Sequence, residues 1–125
     1  MQLDYIENIN AYGNHVVRLY GFDKSQAIKF RQLITDILAN KNELNLSSVN
    51  FIEARNCNLV LRIADTDEGI TTTDKKQFFC DLTIAGYEQM VMLLAPFCSK
   101  ETKGYQWLYE IDNPIDFLFS PAGTW

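Results

Sequence analysis

"GYQWLYEIDNPIDFLFSPAGTW", residues 104–125, is the stretch on which the reading of the chain turns. Its odd positions are Tyr105, Trp107, Tyr109 and Ile111, then Ile115, Phe117 and Phe119. Its even positions are Gln106, Leu108 and Glu110, then Asp116, Leu118 and Ser120. A period of two marks strands that bury one face. The "DNP" between the runs is a turn signal. A three-residue loop at 112–114 sets Ile111 opposite Ile115, Tyr109 opposite Phe117 and Trp107 opposite Phe119. A two-residue loop would set aromatics opposite acids. Register is strongly specified when one face is buried, so the three-residue hairpin is the expectation.

Chain ends are usually polar and frayed. This one reads as core, with Trp125 tucked over the sheet edge. Loss of residues 115–125 is expected to unfold the protein. The same register puts Glu110 opposite Asp116, and like charges facing each other destabilise a hairpin. Solvent and salt, a cation or a basic partner would offset that repulsion. Two close carboxylates are also the geometry of a retaining glycosidase. Nothing in the sequence marks the cleft such a site needs, so an acidic outer face is preferred. Leu108 and Leu118, opposite each other on that face, would be the contact of a homodimer.

Upstream, residues 2–9 and 15–22 read as two strands around "AYGN". Asp23 offers a cap, with Gln26 three positions on as its capping-box partner. A helix follows over about 24–39, with Ala27, Phe30, Leu33, Ile34, Ile37 and Leu38 along one stripe. Three or four strands come next, near 50–56, 58–66, 70–73 and 77–84. A second helix spans about 86–94, its stripe made of Tyr87, Met90, Val91 and Leu94. Pro96 disfavours helical geometry at Ala95 and is expected to end it.

The order ββα-βββ(β)-α-ββ with short turns predicts a mostly antiparallel sheet. With both helices on one face, the fold class is α+β, a single two-layer domain over residues 1–125. No internal linker and no sequence repeat is visible.

The 125 residues are 47% apolar and 22% charged, ordinary for a globular chain. No apolar run approaches the roughly 18 residues of a membrane span. "MQLDYIENIN" lacks the basic start of a secretory signal. Cys57, Cys80 and Cys98 form no CxxC pair, which points to reduced thiols and a cytoplasmic location.

Net charge is −5, unevenly spread. Residues 1–64 hold seven bases and six acids, whereas residues 65–125 hold four bases and ten acids. That field repels phosphate backbones and disfavours nucleic acid.

Chemistry-bearing motifs are few. "DTDEG", residues 65–69, begins like a calcium loop, but Ile70 and Lys76 stand where the motif needs Gly and Glu. It reads as an acidic turn. His15 is the only histidine, so a histidine metal cluster is excluded. No spacing supplies a Cys–His couple with its supporting groups. The six glycines are scattered and form no phosphate loop.

With no catalytic, cofactor or metal site legible, the expected function is a non-enzymatic interaction module. It would bind a basic protein, as inhibitor or immunity-type proteins do, through Asp65, Asp67, Glu68, Glu110 and Asp116. The alternative is a small-molecule-binding protein or enzyme with an interlayer pocket lined by Tyr87, Tyr105, Trp107 and Tyr109.

Overall fold

The computed structural model describes residues 1–121. Nine strands and two helices follow in order: β1 (Gln2–Ile6), β2 (His15–Tyr20), α1 (Lys24–Asn40), β3 (Leu44–Asn45), β4 (Glu53–Ala54), β5 (Asn58–Ile63), β6 (Gly69–Thr72), β7 (Gln77–Leu82), α2 (Ile84–Ser99), β8 (Gln106–Trp107) and β9 (Ile115–Ser120). A 3-10 turn, Leu46–Ser48, lies between β3 and β4.

The strands divide into two sheets, ordered β4-β1-β2-β9-β8 and β3-β5-β7-β6. Pairing is mixed. β1–β2, β3–β5, β6–β7 and β8–β9 are antiparallel, while β1–β4, β2–β9 and β5–β7 are parallel. One apolar cluster joins the two sheets and both helices, so the chain is a single small α+β domain.

Phe119 lies near the centre of that cluster. Phe22 stacks on it at 4.1 Å, Phe30 of α1 at 5.7 Å, and Phe97 of α2 meets it edge-on at 5.1 Å. On the second sheet, Leu59, Leu61, Phe78 and Cys80 are fully buried. Tyr87 of α2 donates its hydroxyl to the Cys80 carbonyl at 2.6 Å.

Helix α1 begins where the capping box places it. The Asp23 carboxylate accepts the Gln26 N–H at 2.9 Å, and the Gln26 side chain accepts the Asp23 N–H at 3.3 Å. Lys41, at φ 52°, closes it. Helix α2 departs from expectation at its end and runs through Pro96 to Ser99. A proline inside a helix costs roughly 3 kcal/mol. Phe97, one residue on, is buried against Phe22 and Phe119, and that burial offsets much of the cost.

The tail departs more sharply. β8 pairs Gln106 with Phe119 and Trp107 with Leu118, one residue away from the expected register. β9 lies inside its sheet, between β2 and β8, and Phe117, Leu118 and Phe119 are all fully buried. A strand buried on both faces has no polar face to set the register. Leu108 turns its side chain into the core with its N–H still bonded to the Phe117 carbonyl at 2.8 Å, and residues 109–114 leave the sheet as a loop. Glu110 and Asp116 are therefore not a cross-strand pair. Leu108 and Leu118 are both fully buried, so neither is offered to a second copy. The expected position of Trp125 lies outside the described residues.

Each sheet carries a bidentate Arg–Asp pair on the face away from the cluster. Arg18 reaches Asp4 at 2.7 and 3.0 Å, and Arg62 reaches Asp81 at 2.7 and 2.8 Å. Arg18 lies over the Tyr20 ring and Arg62 over the Phe79 ring, each at 4.0 Å. Asp4 and Asp81 are thereby engaged within the fold.

Candidate functional site

The loop from β5 to β6, residues 64–68, passes over the end of β7. Ala64 N–H bonds to the Leu82 carbonyl at 2.8 Å and Glu68 N–H to the Asp81 carbonyl at 2.9 Å. This lays Asp67 against the start of α2. Its Oδ1 accepts the Thr83 N–H at 2.8 Å and the Thr83 hydroxyl at 2.9 Å. Thr83 in turn caps the helix by accepting the Gly86 N–H at 3.1 Å. A carboxylate at a helix N-terminus is favourable electrostatically. A Cβ on Gly86 would lie 2.7 Å from Asp67 Oδ1 and 3.1 Å from Leu82 Cβ. Glycine is what lets the carboxylate approach.

The facing wall is the 108–111 segment. Tyr109 holds it in place by donating its hydroxyl to the Ile115 carbonyl and accepting the Ile70 N–H at 3.1 Å. Asn113 adds a clamp. Its Nδ2 donates to the Glu68 and Ile70 carbonyls at 2.7 and 3.1 Å, and its Oδ1 accepts the Ile115 N–H at 2.7 Å. The "DNP" turn signal is thus real, but the turn fastens to the second sheet instead of closing a hairpin.

Between the walls is a cavity of about 320 Å³. Leu82, Leu93, Leu108 and Tyr109 give it an apolar lining, while Asp67, Gln89 and Glu110 supply its side-chain polar groups. Its two ionisable acids are both carboxyls, so the arrangement suits a cationic group carried on an apolar stem.

Of the five acids singled out in the sequence, the structure brings Asp67 and Glu110 to this one cavity. Asp65 and Glu68 are exposed in the adjoining loop, where Glu68 accepts the Thr66 hydroxyl at 2.6 Å. Asp116 stands apart on β9, paired with Val16, and burial raises its carboxyl above the ordinary value. Gln89, Gly86 and Asn113 escaped the sequence reading, which named Tyr109 as a pocket-lining aromatic. The legible trace was Thr83, a capping residue three positions before Gly86.

The four aromatic residues named for a pocket are not brought together at this cavity. Tyr87 is fully buried, and of Tyr87, Tyr105, Trp107 and Tyr109 only Tyr109 borders the cavity. Burial pushes the Cys57 and Cys80 thiols up to about 12 and raises that of Cys98 as well. His15 uses Nδ1 to accept the Asn8 N–H at 3.0 Å. Among the described residues no three His, Cys, Asp or Glu side chains gather as a metal site would require. No helix there is long and apolar enough to cross a membrane. No family model, curated protein or solved structure matches the chain.

Proposed function

We propose that this chain is a non-enzymatic interaction domain that binds a basic protein. The observation that carries the reading is the cavity at the start of α2, whose largely apolar lining Asp67 and Glu110 both border. A lysine or arginine of the partner would lay its stem along the half-buried Leu93 and Ile111 and present its head to the two carboxylates. Asp65 and Glu68 beside the cavity extend the negative field and would speed encounter. An inhibitor of a basic enzyme, in the manner of immunity-type proteins, is the activity this surface suits best. The free cysteines agree with work in a reducing cytoplasm.

Capture from a cell lysate on the wild-type chain and on the Asp67→Asn/Glu110→Gln variant tests this. The wild type should retain a basic protein whose association rate falls about tenfold or more between low and high salt. The variant should lose it. A retained partner indifferent to both salt and the two substitutions overturns the reading.

The volume of the cavity also matches the lower end of small-molecule sites. A cationic small ligand is therefore the second reading. Titration with arginine methyl ester, followed by amide shifts at Gly86 and Glu110, would reveal such binding without any protein partner.

A further inference from the structure

The strand pairings follow a rule that divides the chain at residues 64–68. Every antiparallel pairing joins strands on the same side of that division. The two long parallel pairings, β2–β9 and β5–β7, each of six residue pairs, join one side to the other. Each side repeats one sequence of elements: a hairpin, a helix, then two further strands that pair with each other. The first side is β1-β2-α1-β3-β5, with β4 added, and the second is β6-β7-α2-β8-β9.

In each half the last two strands leave their own hairpin and complete the sheet of the other. β3 and β5 extend β7–β6, while β9 and β8 extend β1–β2. The helices also meet across the division, where Arg31 Nε donates to the Val91 carbonyl at 3.0 Å. Neither half closes a sheet core alone, and residues 64–68 are the covalent link between them.

We infer that a second copy of this chain is a partner the fold accepts, by exchange of the segments beginning at residue 65. Every contact between halves would be remade with the other copy, so the exchange alters the hinge and little else. Asp65 and Thr66 are exposed, Ala64 and Glu68 each make one backbone bond to β7, and the Asp67–Thr83 and Glu68–Asn113 bonds lie within the exchanged segment and so survive the exchange. Asp67, Gly86, Leu108 and Glu110 all follow the hinge in sequence. Each lobe of the exchanged dimer would keep a complete acidic cavity, which makes the dimer bivalent.

The test separates exchange from face-to-face association. A protease recognition sequence is inserted after Asp65 in the full chain, and the protein is refolded from denaturant at high and low concentration. The dimer fraction should rise with refolding concentration and persist on dilution. Cutting the hinge should convert the dimer into particles of monomer mass that contain both halves. Monomer at every concentration, or a dimer that keeps its mass after cutting, overturns the inference.

A second variant guards against misfolding of the first. Deleting Asp65–Asp67 would make Ala64 and Glu68 neighbours, about 3.8 Å apart between Cα atoms. They anchor on either side of β7, where the flanking strands are about 10 Å apart. This variant should fold only as a dimer, and a folded monomer of it counts against the exchange.

Discussion

Tyr109 and Ile70 join the two sheets: the Ile70 N–H, at the outer edge of β6, bonds to the Tyr109 hydroxyl at 3.1 Å. The same hydroxyl donates to Ile115 in β9, so one side chain couples the edge of one sheet to the middle of the other. Burial raises the Tyr109 hydroxyl above its ordinary value, which keeps it a donor. Tyr109→Phe keeps the ring and removes both bonds, leaving two backbone groups without this partner. The expected loss is about 1–3 kcal/mol, read as a lower urea midpoint. Exchange of the Ile70 amide with solvent should quicken more than that of amides in β2. An unchanged midpoint would mean that water replaces the hydroxyl.

Two glycines near the site should respond differently to alanine. Gly69 has φ +78°, and a Cβ there would lie 2.7 Å from Asn113 Nδ2 and 2.9 Å from Ile111 Cδ1. Gly69→Ala combines left-handed strain with displacement of the Asn113 clamp and should cost more than about 2 kcal/mol. Gly86 is in the first turn of α2, where alanine gains up to about 1 kcal/mol of helix propensity. Its Cβ would push Asp67 off Thr83. Stability of Gly86→Ala should change by less than about 1 kcal/mol while binding of a cationic probe weakens. Denaturation curves and an arginine methyl ester titration on both variants check this pair of outcomes.

The contrast between local and distant pairings explains what could be read from the sequence. The Asp23 cap, both apolar helix stripes, and the strands at 58–63 and 77–82 follow from short-range periodicity and were legible. The antiparallel pairs β1–β2 and β6–β7 are likewise close in sequence. The parallel pairs β2–β9 and β5–β7 join residues distant in sequence, and no local pattern encodes them. Leu118 shows why the tail register slipped. Its burial comes from the central place of β9, a property of the assembled sheet, and not from alternation within 105–119. At the site, the acids of 65–68 and Glu110 were visible as charge. That Asp67 and Glu110 border one cavity depends on Gly86 and the Asn113 clamp, which only the fold brings near. The expectation that loss of residues 115–125 unfolds the protein gains a sharper reason, because β9 holds Phe119 against both helices and Phe22. A truncated chain that keeps its circular dichroism spectrum would contradict it.

The cysteines should be inert while the chain is folded. With Cys57 and Cys80 pushed up to about 12 by burial, each is thiolate in only about one molecule in ten thousand at pH 8. Cys98 is half-buried and the most accessible of the three. A thiol reagent at pH 8 should modify Cys98 first, and all three only in denaturant, as counted by mass spectrometry. Rapid modification of Cys57 in the folded protein would instead mark it as an activated nucleophile.

Asp116 sets a pH dependence of known sign. Desolvation raises its carboxyl above the unfolded value, so the folded chain holds this proton more tightly than the unfolded chain does. Its contribution to stability is fully present below the unfolded value of about 3.9 and is lost as pH rises through the higher folded value. Asp116→Asn removes the charge that burial penalises. The variant should be the more stable form at pH 7, by less than about 1 kcal/mol because the group retains much of its solvent contact. The advantage should vanish toward pH 3, where the wild-type carboxyl is itself protonated. Urea midpoints for both proteins across that range give the comparison. A variant less stable than wild type at pH 7 would show that the Asp116 charge is matched by a favourable contact, and would return this residue to the set of functional acids.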